Sequence, residues 1–468
     1  MSLTFTDIFC GAGGSSIGLS AAGFTLKLAA NHWARAIDTH AANFPDAEHL
    51  CADVSNYPMR SLPRTDVLWA SPICTEISPA GGRRRQRAQL DLLDHAPEPV
   101  AAAGFERTRA TFHDVIRATE VHRYRAVIVE NVVNVATDWQ LFDWWLTGMK
   151  TLGYQVQFVS VSSAHVGDQA NPHAPQWRDR LYMVFTRDGV PLPDVTPRPQ
   201  AWCFTCERAV RAKQVWRRPR VRRIGKYGQQ YDYRCPRAAC RHALVEPYVL
   251  PASAAIDWND LGERIGERAR PLTGTTMTRI RAGLAMFAGE PTMVTVTHGQ
   301  GEHGRAYPAS AGPLPTRTAK IGDGLACPPM LVPSGGTWRT QATPAATPMP
   351  ARTTSETDAL LCPPGTGGRP APADALVIPY RRGAKPHRPD RPISTLATRA
   401  SHGLLHTDLR IEDCRYQMLR PREQLRAQRF PDSYTVTGNV SEQTMQAGNA
   451  VSANVAQWLG TAVAHALA

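Results

Sequence analysis

Long apolar runs are missing from this 468-residue chain. No stretch approaches the roughly 18 uninterrupted apolar residues of a membrane span, so no membrane partner is expected. The opening MSLTFTDIFCGAGG has no basic segment followed by an apolar one and runs straight into strand-like sequence; the expectation is no secretion leader and a cytoplasmic location. Cysteines in a framework-like array are also lacking. Of the ten, Cys10, Cys51, Cys74, Cys327, Cys362 and Cys414 stand alone and four cluster at 203–240, which argues against a disulfide scaffold and for thiol and metal chemistry. Acids are in deficit: 40 Asp and Glu against 53 Lys and Arg leave a net charge of +13. That balance favours a polyanionic partner, nucleic acid first, because phosphate neutralisation dominates such binding. Hydrophobic residues at 43% and charged residues at 20% suit a soluble globular protein, long enough for a catalytic core and at least one further unit.

Residues 1–190 alternate short apolar runs with amphipathic segments. Leu3–Phe9, Asp66–Ala70, Ala126–Val129, Gln155–Val161 and Leu181–Phe185 have the character of buried strands. Between them, Phe112, Val115, Ile116 and Thr119, and then Leu141, Trp144, Trp145, Met149 and Leu152, fall at helical spacing. This alternation predicts an α/β fold with a doubly wound, Rossmann-like sheet. The texture changes after Arg187, with prolines at 191, 193, 197 and 199, then a basic, cysteine-bearing stretch, assigned to 191–250. Residues 251–412 are rich in Pro, Thr, Gly and Ala and carry a loose repeat: RPLTGTTMTRIRAGLA, GPLPTRTAKIGDGLA, TPMPARTTSETDALL and RPISTLATRASHGLL. Units 35–44 residues apart are read as successive strand-and-turn modules. Helical character is expected to return from about Cys414, making 413–468 the second part of the core.

Several strand ends carry chemistry. Phe9-Cys-Gly-Ala-Gly-Gly14 is a glycine turn between a strand and a helix, where backbone can approach a ligand closely. An acid, Asp53, lies about 40 residues beyond that turn, at a neighbouring strand end suited to a ribose or an adenine amino group. Cys74 follows the strand Val67–Ala70, Glu130 follows Val127–Val129, and Gln176-Trp-Arg-Asp-Arg180 precedes Leu181–Phe185. Thiol, carboxylate and two guanidinium groups at strand ends make a candidate site for a base and its phosphate.

With these residues in place, the chain resembles the cytosine-5 DNA methyltransferases. Phe9–Gly14 is similar to their FxGxG cofactor motif, Pro72–Ser78 to the Pro-Cys nucleophile motif, Glu130-Asn131-Val132 to Glu-Asn-Val, and Gln176–Arg180 to QxRxR. LRPREQLRAQRFPDSY (419–434) and Gln446–Val451 are similar to the late motifs, and the order is the family's. Neighbours differ from the usual pattern: Pro72-Ile73-Cys74-Thr75 where Pro-Pro-Cys-Gln is common, Asn31-His32-Trp33 where an acidic ribose ligand is common, and Ala450 for a small hydroxyl residue. His32, or Asp38 from the following helix, could replace that acid.

The resemblance implies a DNA (cytosine-5-)-methyltransferase using S-adenosylmethionine on a cytosine flipped out of double-stranded DNA. Cys74 would attack carbon 6, covalent catalysis that makes the ring enamine-like. Glu130 would hold the ring nitrogen and amine through a protonated or proton-sharing carboxyl group, which burial favours. Arg180 would bind the ring carbonyl, and Arg178 would order Glu130 or the nucleophile loop. The donor pocket implied contains Phe9, Gly11, Ala12, Gly13 and Gly14 from the first turn. His32, Trp33, Asp53, Pro72, Asn449 and Val451 would complete it. Residues 191–412 fall where the family has its target-recognition domain. The chain is expected to act as a monomer at the nucleoid of a bacterial or phage-infected cell, with room for a cognate restriction endonuclease. An RNA substrate or a larger donor group, and a non-catalytic DNA-binding protein on a degenerate core, are the alternatives.

The cysteine cluster is a second signal. Cys203-x2-Cys206 and Cys235-x4-Cys240, separated by 28 residues, resemble the paired knuckles of a zinc ribbon, a closed structural site, with His242 as a spare ligand. Between Arg208 and Lys226 there are nine cations and no acid. Trp216, Tyr227, Tyr231 and Tyr233 are interleaved or adjacent, so a basic hairpin along DNA phosphates is expected. Arg83, Arg84, Arg85 and Arg87 could clamp phosphates beside the nucleophile.

Overall fold

The computed structural model describes residues 2–73, 110–219, 222–250 and 420–468, the backbone of 99–109, and short stretches between 254 and 417. Cys74 and the arginines at 83–87 lie outside the described residues.

Seven strands form the central sheet: β1 (Thr4–Ile8), β2 (Thr25–Asn31), β3 (Glu48–Cys51), β4 (Val67–Ala70), β5 (Ala126–Asn131), β6 (Tyr154–Ser162) and β8 (Asp179–Arg187), with the short β7 (Gln176–Trp177) leading into the last. Their order is β3-β2-β1-β4-β5-β8-β6. The first five pair in parallel, while β8 runs antiparallel to both β5 and β6. Strand order reverses between β1 and β4, so the crevice for a ligand lies outside the carboxyl ends of these strands.

The runs that look uniformly apolar in sequence are buried on both faces, and alternate residues feed two cores. Ile8, Leu68, Val127, Val129 and Met183 join one cluster, with Phe112 and Val115 of α3 (Pro99–His122) and Trp145 and Met149 of α5 (Phe142–Thr151); the short α4 is Val135–Asp138. Phe5, Val67, Trp69, Ile128 and Val184 join the other, against Leu19 of α1 (Gly14–Ala21) and Val455, Leu459 and Val463 of α8 (Ala453–Leu467). The doubly wound arrangement therefore needs the C-terminal helix. Contact between α1 and α8 is close because Gly18 and Gly460 lack side chains; a Cβ at either would meet the opposing helix. Helix α2 (Ala34–Asn43) flanks β2, and α6 (Pro421–Arg426) and α7 (Val440–Asn449) precede α8.

The boundary drawn at 412/413 cuts a strand. Residues Arg410–Gln417 pair antiparallel with His402–Asp408, and helix begins only at Pro421. Strand alternation across Cys414 cannot be told from short amphipathic helix without its pairing partner. Within the Pro/Thr-rich region the third and fourth repeat endings lie side by side, parallel and in register, Leu360 against Leu404 and Leu361 against Leu405. The cysteine-bearing stretch forms two ribbons, β9 (Gln200–Cys203) with β10 (Arg208–Arg211), and β11 (Lys213–Trp216) with β12 (Tyr231–Arg234). Among the described residues no helix is long and apolar enough to cross a membrane.

Candidate active site

Because β8 returns antiparallel to β5, its first residues meet the carboxyl end of β5. Arg180 and Glu130 are thereby joined, Nε to Oε1 at 3.1 Å, both side chains only about one-tenth exposed. A carboxyl group and a guanidinium held edge to edge at a crevice can take the polar edge of a heterocycle, one for N–H donors and the other for a carbonyl oxygen. Asn131, 1% exposed, accepts from the Val132 amide and donates from Nδ2 to the carbonyl of Pro72 at 2.9 Å. Ile73 N donates to Thr111 Oγ1 at 3.2 Å. The segment entering the Cys74 loop is thus tied to β5 and to α3 just before the described chain ends.

Arg178 is buried and donates from Nη2 to the carbonyl of Ala450 at 2.7 Å and from Nη1 to that of Gly448. Those bonds join the QxRxR strand to the last motif, a role different from ordering Glu130 that motif order alone did not suggest.

The glycine turn divides into two functions. Phe9 adopts φ +62° and Gly11 φ +54°, a left-handed path that is costly for a bulky residue. A Cβ at Gly11 would lie 3.8 Å from the Asn449 carbonyl oxygen, so that position is open, and Asn449 is exposed beside it. Gly13 and Gly14 have another cause. Side chains there would overlap the Tyr434 hydroxyl and the Val451 carbonyl respectively. Ala12 is fully buried and accepts from Tyr434 Oη at 2.6 Å. These three residues of the expected donor pocket, and the buried Val451, are accounted for by docking of the C-terminal segment beneath the turn. Beneath it also lies a buried polar chain. Asp7 accepts from Ser15 and Ser16, and Ser16 Oγ lies 3.0 Å from His40 Nε2, whose Nδ1 meets His49. Burial pushes the Asp7 carboxyl up to about 7.

Asp53 caps a short helical turn, accepting from the Ser55 amide and from Asn56 Nδ2, so its carboxylate is oriented as well as placed at the end of β3. His32 is exposed just past β2, and Trp33 is half-buried, its amide bonded to Asn31 Oδ1. Asp38 pairs with Arg35 at 3.1 Å on an exposed helix face. Pro72 is buried, its carbonyl held by Asn131.

The sulfur atoms of Cys203, Cys206, Cys235 and Cys240 all lie within 4.8 Å of one another, and the pairs Cys203–Cys240 and Cys206–Cys235 are 4.0 Å apart. A tetrahedral Zn–S length near 2.3 Å implies sulfur separations of about 3.8 Å, so the donor set fits a four-thiolate ion. The clustered thiols push Cys206 up to about 12, and the Ala243 amide draws Cys240 down to about 7. His242 bonds through Nδ1 to the Cys235 carbonyl and is not a fifth partner of this cluster.

The aromatic residues of this module are not a stacking platform. Tyr231 and Tyr233 are fully buried and, with Trp216 and Tyr227, form the module's own core; a small ribbon has little else with which to exclude water. The exposed rings are instead Phe204, inside the first cysteine knuckle, Trp202 and Tyr248. Among the described cations, Arg217 pairs with Asp232, Arg222 with Asp143, and Arg208 donates to the Cys206 carbonyl.

A mainly parallel sheet with a switch point, a strained glycine turn and a carboxyl–guanidinium pair at neighbouring strand ends define a doubly wound α/β protein with a candidate site at its strand ends. The chain belongs to the C-5 cytosine-specific DNA methylase family, whose sequence model matches residues 3–202 and 374–465. It is 28% identical over 197 residues to the Type II methyltransferase M1.HphI of Haemophilus parahaemolyticus, covering 40% of this chain and 47% of that protein. It is likewise 28% identical over 190 residues to the Type II methyltransferase M.NgoBI of Neisseria gonorrhoeae, covering 40% and 51%. The chain thus matches about half the length of these curated relatives. A DNMT2 variant of Spodoptera frugiperda is a similar solved structure, with TM-score 0.48, 12% identity, and 99% and 100% of the two chains covered.

Proposed function

We propose that the chain is a DNA (cytosine-5-)-methyltransferase, with Cys74 as nucleophile and the Glu130–Arg180 pair as the cradle for a flipped cytosine. That pair, 3.1 Å apart at the carboxyl end of β5, carries the reading. S-adenosylmethionine, when bound, supplies an electrophilic methyl group at the crevice beside Phe9, Gly11, His32, Asp53 and Asn449. The Cys74 thiolate would form a bond to carbon 6, which moves the ring electron pair to carbon 5 as acceptor of the methyl group, the broken S–CH3 bond leaving its electrons on the donor sulfur as a neutral thioether. Loss of the carbon-5 proton to a base then breaks the carbon–sulfur bond and returns the thiolate. Glu130 neutralises charge at ring nitrogen 3 and the amine, and Arg180 holds the ring oxygen.

Cys203, Cys206, Cys235 and Cys240 hold one structural Zn2+, and the cations around them meet DNA phosphates. The Type II designation of the relatives supports a restriction–modification setting in the cytoplasm, with the protein acting as a monomer and a cognate endonuclease as partner. The test is incubation of the full chain with duplex DNA and S-adenosylmethionine, followed by nucleoside mass spectrometry and site mapping. The expected product is 5-methylcytosine at a defined sequence, with a Cys74→Ala protein that binds DNA but transfers nothing. Cytosine-5 methylation retained by that variant sinks the assignment. Modified RNA instead of DNA, or a group larger than methyl, would redirect it.

A further inference from the structure

The cysteine-bearing module is not tethered beside the catalytic sheet but built onto it. Gln214 Nε2 donates to the Ser160 carbonyl at 2.8 Å, the Gly225 amide to Ser160 Oγ at 3.1 Å, and Ser160 Oγ to the Arg223 carbonyl. Ile224 enters the main core of the sheet. His165 is boxed in by the rings of Trp177, Tyr227 and Tyr233, with centroids 4.7, 4.4 and 5.1 Å away. At the end of this contact the Tyr227 amide donates to Asp179 Oδ1 at 3.2 Å.

Asp179 stands between Arg178 and Arg180 and opens β8. Its backbone is paired with Ser162 of β6, and its carbonyl accepts from Arg180 Nη1 at 3.0 Å. The ion pair of Arg180 is with Glu130, not with this neighbouring acid. The Asp179 carboxyl is instead held from the hairpin, by the Tyr227 amide and the neighbouring charge of Lys226, with Arg180 adding its own attraction.

We propose that Asp179 is a positioning residue: the cysteine-pinned hairpin grips its carboxylate through the Tyr227 amide and so fixes Arg180 against Glu130. The sheet holds the backbone of the 179–180 peptide through β6, and the hairpin holds the Asp179 side chain. The guanidinium bonded to that peptide's carbonyl is thereby denied the rotation that would withdraw it from the carboxylate. The recognition module is on this account also a brace for the catalytic strand. This inference rests on the proposed function for its kinetic arm only.

The test uses the full chain with Asp179→Ala, which removes the acceptor, and Asp179→Asn, which keeps an acceptor oxygen. Three quantities are read: the single-turnover methyl-transfer rate at saturating DNA, the Kd for DNA, and the 15N resonance of the Arg180 Nε–H group. Displacing a positioned group costs about tenfold or more in rate, so the alanine variant should lose that much while its Kd stays within about threefold. Its Arg180 Nε–H signal should shift away from the carboxylate-bonded position, and the asparagine variant should recover both rate and shift. A rate and Arg180 signal unchanged in the alanine protein overturn the proposal, as does an asparagine variant as impaired as alanine. Should Asp179→Ala fail to fold, Tyr227→Pro removes the donating amide from the other side and carries the same expectations and the same refutation. If the parent chain transfers no methyl group, the functional reading fails and the Arg180 resonance alone decides the positioning.

Discussion

Asn131→Ala is the substitution that most directly probes how the sheet hands its order to the nucleophile loop. Asn131 is fully buried and makes two bonds of 2.9 Å, to the Val132 amide and to the Pro72 carbonyl, two residues before Cys74. Truncation leaves one backbone donor and one backbone acceptor unpaired, a cost of about 1–3 kcal/mol per group when no water reaches it. Partial relaxation toward the open crevice should hold the loss to roughly 2–4 kcal/mol in all, a melting point lowered by several degrees. The kinetic effect should be larger than this loss implies, because the thiol must meet carbon 6 in a near-attack geometry and a displacement of about 1 Å costs on the order of a hundredfold. Single-turnover methyl transfer at saturating DNA and donor, measured below the melting point of the variant, separates the two. The expected result is a rate down about a hundredfold with little change in DNA affinity. A rate within about twofold of the parent would show that the Pro72 tether does not set the loop. Asn131→Asp should be no better than alanine, since it keeps the acceptor for Val132, loses the donor to Pro72 and adds charge beside Glu130.

Asp7 predicts a pH dependence of stability. Its carboxyl is raised by burial from 3.8 to about 7, so between those values the folded state retains a proton that the unfolded state has lost. Stability is therefore fullest below about pH 4, falls as pH rises toward 7 and then levels, a span of roughly 4 kcal/mol at about 1.4 kcal/mol per pH unit. Asp7→Asn should flatten that part of a urea-denaturation profile, and an unchanged slope refutes the assignment. Purified chain should contain close to one zinc, released by mercurial titration of the four thiols, with Cys203→Ser lowering both metal content and melting temperature; metal well below one per chain contradicts the site. Gly14→Ala places a methyl group on the Val451 carbonyl, where backbone cannot yield cheaply. The C-terminal segment should undock, with a loss of about 3 kcal/mol or more, and a variant as stable as the parent would show that this contact is dispensable.

The parts of this fold that sequence disclosed are those governed by local chemistry. Val67–Ala70 and Ala126–Val129 are apolar at every position because both faces of their strands are covered, and that needs no partner to be recognised. Glu130 and Arg180 stand out because charge at the end of such a run is costly unless used. Pairing direction was not legible: nothing in Leu181–Phe185 distinguishes an antiparallel strand from another parallel one, yet the reversal of β8 is what brings Arg180 to Glu130. Tyr231 and Tyr233 misled for a related reason. Aromatic residues among cations suit nucleic-acid stacking in composition, and only burial reveals them as the core of a ribbon too small to have another.

Long-range closure was the least visible feature, and it bears most on how the protein works. The family-matched sequence is split into residues 3–202 and 374–465, yet its two parts meet around the glycine turn and Arg178. Tyr434 and Val451 shape the glycine turn, Asn449 lies exposed beside Gly11, and Arg178 holds the carbonyls of Gly448 and Ala450. The segment between the two parts must therefore return the chain to a position from which residues 434–451 reach the glycine turn and Arg178. An insertion anchored at only one end would satisfy connectivity, but it would let the C-terminal segment drift from the turn. The cysteine-pinned ribbon instead bonds to β6 and to the start of β8 through Ser160 and Asp179. The entry to β8 thus receives the ribbon at Asp179, its first residue, and the C-terminal motif at Arg178, the residue before it. The cysteine-bearing ribbon, the C-terminal motif and the Glu130 pair converge on three consecutive residues, 178–180, so a disturbance of either ribbon or C-terminus should reach the proposed site first through the start of β8.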